Sequence, residues 1–155
     1  MIRQATLLDL LTLAPLAVSY GDEALGHDSF PFDLEHCLSN MATSILDDES
    51  CLLIAVHDGK PLGCIWGSAR ALPWSKAKLA FDTILYVIPE KRKTSVGYKL
   101  MQAWEQWATE HDAVEVQISI ASGIHEDSSV SFFKKLGYHY IGQQFRKEVT
   151  HGIKS

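Results

Sequence analysis

Read from the N-terminus, the spacing of apolar side chains changes period several times, and each change marks an element. Residues 2–5 suit a short strand. Thr6 then reads as a helix N-cap with Asp9 three residues on as its acidic capping partner. Leu7, Leu10, Leu11 and either Leu13 or Ala14 form an apolar stripe that continues to about Tyr20, where Gly21 supplies a stop. A loop over 26–31 leads to Asp33. That residue caps a second helix over 34–46, with Leu34, Cys37, Leu38, Met41 and Ile45 on one face.

The period then shifts to that of strands. Residues 51–56 are a short apolar run, Asp58-Gly59 is a tight hairpin signal, and 62–69 return as the partner strand. A loop with Pro73 and Trp74 occupies 71–77, and a long strand over 78–88 stops at Pro89. A helix over 95–111 carries Val96, Leu100, Ala103, Trp104 and Trp107 on its apolar side. A strand over 114–120, a helix over 127–136 closed by Gly137, and a final strand region over 138–149 complete the series. Hairpins come first and strand–helix units follow, which predicts an α/β fold: a mixed, mostly antiparallel sheet with about four helices on its faces. No linker or repeat interrupts it, so residues 1–149 read as a single domain and 150–155 as a flexible tail.

Composition adds exclusions. The chain has 155 residues, 46% of them hydrophobic, which is enough for a core without disulfide or metal staples. Its formal charge of -5 argues against general nucleic-acid binding. Cys37, Cys51 and Cys64 are odd in number and widely spaced, with no CxxC pair. They read as small hydrophobes in a reducing cytoplasm, with neither a disulfide framework nor a metal site. The apolar N-terminus has only Arg3 as a basic flank and is broken by Asp9, so it reads as strand and helix rather than an export signal. No apolar run reaches the roughly 18 residues that a membrane span needs.

Candidate chemistry concentrates between Leu85 and Leu100. A strand ends at Pro89, the basic residues Lys91, Arg92 and Lys93 follow, and a helix starts near Ser95. The first turn of a helix has unpaired N–H groups and a partial positive charge, so a loop feeding it can cradle a pyrophosphate. A solvated basic turn before an ordinary helix would look the same.

Here the chain resembles the GNAT superfamily of N-acetyltransferases, whose phosphate loop reads Arg/Gln-x-x-Gly-x-Gly/Ala after a strand ending Val-x-Pro. Val87-Ile88-Pro89 is followed in register by Arg92, Lys93, Thr94, Ser95, Val96 and Gly97. Ser95 stands where the family has its first motif glycine, and Lys93 where a glycine often follows the arginine. A second segment, from Glu126 to Phe132-Phe133-Lys134-Lys135-Leu136-Gly137-Tyr138, resembles the family's Asn-x-x-Ala-x-x-Leu-Tyr-x-Lys-Leu-Gly-Phe helix. Glu126 replaces the asparagine. Phe133 replaces a tyrosine that often protonates the departing CoA thiolate, and it has no proton to give.

The resemblance implies a parallel, splayed strand pair with acetyl-CoA as cosubstrate in the split. Backbone groups of Leu85, Tyr86 and Val87 would hold the pantetheine arm. Arg92, Lys93, Thr94, Ser95, Val96, Gly97 and Tyr98 would hold the phosphates, with Glu126 and Phe133 also lining the cofactor. The implied reaction is N-acetyl transfer to a primary amine by direct attack. Asp82, at a spacing where some members carry a catalytic glutamate, is the candidate base; strand alternation predicts that it shares a face with Ile84 and Tyr86. Tyr138, Tyr140 or a water would substitute for the missing tyrosine as acid, and His125 and Glu126 are candidate relays. The acceptor, a small molecule or a peptide or protein amine, is expected under the first two helices and the 71–77 loop, near Asp22, Glu23, His27, Asp28 and Glu35. An acyl-CoA-binding module of weak or no activity is the alternative. A third reading is an interaction protein with a vestigial wedge, in which apolar and aromatic residues near Tyr140 and Phe145 would form a homodimer edge.

Overall fold

In a computed structural model of the chain, which describes residues 1–25, 30–120 and 125–149, the sequence forms a five-stranded mixed sheet and four helices. The strands are β1 (Ile2–Gln4), β2 (Ser50–His57), β3 (Lys60–Leu72), β4 (Ser75–Val87) and β5 (Ala113–Gln117); the helices are α1 (Leu10–Ala24), α2 (Leu34–Ile45), α3 (Val96–Glu110) and α4 (Glu126–Lys135). Strand order is β1-β2-β3-β4-β5, antiparallel throughout except for the parallel pair β4–β5. The chain divides into two compact units. Residues 1–20 and 33–118 make the sheet with α2, α3 and most of α1; residues 21–32 and 119–155 make the second, with α4.

In the first unit both faces of the central strands are covered, which is why residues 51–55 of β2 are all buried without polar alternation. Neighbouring β3 residues report the two faces. Trp66 donates from Nε1 to Ser44 Oγ of α2 at 2.9 Å, while Gly67 lies against Trp104 of α3. Leu100, Met101 and Trp104 of α3 are fully buried. A Cβ on Gly67 would come 2.6 Å from the Phe81 carbonyl oxygen and 3.2 Å from Trp104 Nε1. Gly67→Ala is therefore expected to cost about 1–3 kcal/mol, read as a lower urea midpoint at unchanged slope.

The start of α1 is pinned electrostatically. Arg3 grips Asp9 with two bonds of 2.7 and 2.8 Å, and the Thr6 N–H donates to the same carboxylate at 2.7 Å. Asp9 is buried, and the Arg3 guanidinium, followed by the Thr6 donors, holds its carboxyl well below the usual carboxylate range. A depressed folded-state pKa stabilises the fold fully above the ordinary carboxylate range, and that contribution is lost as pH falls through the native value. Asp9→Asn is expected to lower stability by about 1–2 kcal/mol at neutral pH, with the melting temperatures of variant and parent converging in strong acid.

Several sequence expectations change. Gly21 lies within α1, which runs on to Ala24 and bonds Leu25 N–H to the Gly21 carbonyl at 3.1 Å. In the second unit the missing side chain at Gly21 makes room for the Phe32 ring, which a Cβ would meet at 2.7 Å. The 71–77 loop is instead a hairpin: Ala71 pairs with Lys78 and Leu72 with Ser75, so only Pro73 and Trp74 turn. Residues 138–149 form no strand, and β5 ends at Gln117 rather than 120. His27, Asp28 and the tail at 150–155 lie outside the described residues.

Candidate functional site

The site is built where β4 outruns β5. Parallel pairing begins at Lys78↔Ala113 and ends at Phe81↔Gln117, yet β4 continues to Val87. The strands therefore part after Phe81: Asp82 and residues 84–87 keep their β3 partners, while the pairing with β5 has ended. Beyond the end of β4, the Ile88 N–H bonds the Leu62 carbonyl at 3.0 Å, toward β3. By alternation, the backbone groups of Leu85 and Val87 point away from β3, into the split. Tyr86 directs its backbone to β3 and its ring to a buried position on the α1–α2 face.

A β-bulge precedes this edge. Trp66 pairs with Ile84 but Gly67 pairs with Asp82, so Thr83 is an extra residue on β4. Partners across an antiparallel ladder share a face. Tyr86 and Ile84 stand with Cys64 and Trp66 on the face of α1 and α2, whereas Asp82 stands with Gly67 on the face of α3. The expected sharing of one face by Asp82, Ile84 and Tyr86 is thus incorrect: the inserted residue inverts the alternation between 82 and 84. Asp82 is half-buried and is the first β4 residue past the last β5 pair, at the apex of the split.

The turn after β4 brings the charge. Pro89–Lys91 form one 3-10 turn, and Arg92 folds back from its end. Its Nε donates to the Val87 carbonyl at 2.9 Å, and its guanidinium lies 5.4 Å from the Tyr86 ring centroid. Tyr86 is in turn met edge-on by Tyr20 of α1 at 5.7 Å. Tyr20 was not singled out from sequence, although helical spacing puts it on the buried face with Leu13, Leu16 and Ala17. Lys93 and Thr94 are exposed beside Arg92.

The first helical bond of α3 runs from Lys99 N–H to the Ser95 carbonyl at 2.9 Å. Ser95 makes no side-chain cap bond, and the Val96 N–H reaches only Thr94 Oγ1, at 3.4 Å. Among the described residues the amides of Gly97 and Tyr98 find no acceptor, so this helix start can receive an anion. Three adjacent cations, a set of uncapped amides and an open strand edge are the donors that the diphosphate and amide-rich arm of a CoA thioester would need.

In the second unit, α4 ends in a Schellman motif. Gly137 takes φ 94°, its N–H bonds the Lys134 carbonyl at 3.1 Å, and the Tyr138 N–H bonds the Phe133 carbonyl at 3.0 Å. This fixes Tyr138 against Phe133, with ring centroids 6.1 Å apart, and the Tyr138 hydroxyl is buried. His125, left-handed at φ 53°, precedes α4 and lies 4.0 Å from Glu23. Glu126 opens α4; its side chain lies outside the described residues. No group of three metal-ligating side chains gathers among the described residues.

A split parallel pair that feeds a basic turn and an uncapped helix defines the architecture of an acetyl-CoA-dependent acyltransferase. A family model for the acetyltransferase (GNAT) family matches residues 15–138, and the chain belongs to that family. Acetyl-CoA is its acyl donor. Among solved structures, the fold is similar to a probable acetyltransferase (23% identity, 97% of this chain and 98% of that one, TM-score 0.78). It is also similar to AAC(6')-Iy in complex with the bisubstrate analogue CoA-S-monomethyl-acetylneamine (20%, 96% and 97%, TM-score 0.74). A third is a ribosomal-protein-alanine N-acetyltransferase from Brucella melitensis biovar Abortus 2308 (16%, 96% and 99%, TM-score 0.73). No match was found among curated protein sequences.

Proposed function

We propose that the chain is an N-acetyltransferase that moves the acetyl group of acetyl-CoA to a primary amine by direct attack. The observation that carries this reading is the parting of β4 from β5 after Phe81↔Gln117, directly ahead of the basic turn and the uncapped start of α3. In this reading Leu85 and Val87 hold the pantetheine arm through backbone groups. Arg92, Lys93 and the amides from Thr94 to Tyr98 hold the phosphates. The amine nitrogen attacks the thioester carbonyl carbon and loses a proton to Asp82. The carbon–sulfur bond breaks, and the thiolate takes a proton from a general acid, for which Tyr138 is the candidate that the phenylalanine at 133 leaves. Direct attack is favoured over an acyl-enzyme because the cysteines are poor nucleophiles: burial pushes Cys51 and Cys64 up to about 12 and raises Cys37.

Proteins of similar fold include ones described as an aminoglycoside acetyltransferase and a ribosomal-protein-alanine N-acetyltransferase. Both a small amine and a protein N-terminus therefore belong in the acceptor panel. Incubation with acetyl-CoA and such a panel should release free CoA thiol and acetylated amine in equal amounts. Cofactor binding without release from any acceptor would refute the reading.

One observation favours a second reading, an acyl-CoA-binding module of weak or no activity: the buried Phe133 offers no proton to the leaving thiolate. Calorimetric CoA binding without turnover of any acceptor would support it, and absence of CoA binding would rule it out.

A further inference from the structure

Helix α1 and the turn that opens it are apolar on two opposite sides, and among the described residues only one of them is buried. Leu13, Leu16 and Ala17 are buried against the sheet. On the far side Leu11, Pro15 and Val18 of α1 are exposed, and Leu7 and Leu8 of the 3-10 turn Leu7–Asp9 that precedes it extend the apolar stripe to about 15 Å. Leu8 is 92% exposed and Leu11 86% exposed. From Gln4 to Gly21 the only charged residue is Asp9, and it is buried and neutralised by Arg3. An uncharged, two-sided apolar helix is the pattern of a helix enclosed on both sides, not of one at a water surface.

We propose that this outer stripe of α1 packs against the same stripe of a second copy of the chain. The charge distribution selects this occupant. The protein carries a net -5, so most of its surface repels another copy, whereas this face brings no like charge into contact. A membrane surface would call for lysines and arginines flanking the stripe, and a nucleic acid for a basic face; the stretch has neither. A stripe is also self-complementary about a two-fold axis, since each leucine can meet its own counterpart or its neighbour. Five exposed apolar side chains from each copy approach the lower limit of a specific interface, about 1,000 Å² in total, which suits a reversible dimer.

Sedimentation equilibrium across a wide concentration range tests this directly. The parent chain is expected to dimerise, and Leu8→Glu with Leu11→Glu to weaken the dimer at least tenfold, with unchanged circular dichroism and unchanged CoA affinity. Should that double variant fold poorly, Leu11→Cys in a Cys37→Ser background provides the second test: mild oxidation should trap a covalent dimer through position 11. A parent that stays monomeric at high concentration overturns the proposal. So does a dimer that survives the folded double variant, or an oxidised Leu11→Cys chain that remains monomeric. None of these outcomes depends on the acetyltransferase reading, which CoA binding and turnover report separately.

Discussion

Asp82→Asn is expected to lower kcat by about 100-fold or more while leaving the KM for acetyl-CoA within about twofold. The position supplies the reason. Asp82 is the first β4 residue beyond the last pair with β5, so its carboxylate stands where the two strands begin to part. The bulge at Thr83 matters to this placement. Without the extra residue, Asp82 would follow Ile84 and Tyr86 onto the face covered by α1 and α2; with it, the carboxylate stands on the opposite face, across from Gly67. Asparagine keeps the size and a hydrogen-bonding oxygen but cannot take a proton from an ammonium near neutral pH. A loss confined to kcat, partly restored by Asp82→Glu, is what proton transfer predicts. A structural role would instead lower the melting temperature in Asp82→Asn and leave kcat near that of the parent.

The bulge also marks the limit of what the sequence discloses. Local signals with a fixed chemistry are legible. Thr6 and Asp9 predict a helix start and deliver one, Asp58-Gly59 adopts the positive φ values of a hairpin turn, and Leu136-Gly137-Tyr138 closes α4 as a Schellman motif. Each of these depends on backbone groups within a few residues. The face that Asp82 occupies depends on a register shift against β3, and Thr83 is a good strand residue with nothing to betray that it lies outside the ladder. The hairpin at Pro73-Trp74 was hidden for a related reason. Proline suggests a loop, but it costs the ladder nothing at the turn itself, so pairing resumes at once on either side. Gly21 reads as a helix stop because of its permissive backbone, whereas its use here is the space it leaves for Phe32. Residues 138–149 alternate well enough to suggest a strand, yet propensity alone does not create a partner edge. The phosphate-loop candidate was legible because charge and helix start are contiguous in sequence. The contact of Tyr20 with Tyr86, from elements far apart in the chain, was not.

Arg92→Glu should weaken CoA binding by about 100-fold or more in calorimetry, the second large effect. Arg92 sits at the hinge between the open strand edge and the uncapped helix, and it belongs to both. Through Nε it holds the Val87 carbonyl at 2.9 Å, and its guanidinium packs over Tyr86. Glutamate removes a charge-assisted donor, worth roughly 1.5–3 kcal/mol, and adds a like charge beside a diphosphate. The variant set separates charge from architecture. Arg92→Lys keeps the charge but loses the planar, stacked group, so it should retain more affinity than Arg92→Gln, which loses the charge. If the arginine served only to anchor Val87, lysine and glutamine would be equally impaired, and raising the salt concentration would not weaken binding to the parent chain. A role in holding phosphates predicts the opposite: parent affinity falls as salt rises, and in Arg92→Glu that dependence is reduced, because fewer favourable charge contacts remain to be screened. Affinity unchanged in Arg92→Glu would move the nucleotide away from the start of α3, and the functional reading built on that helix would fail with it.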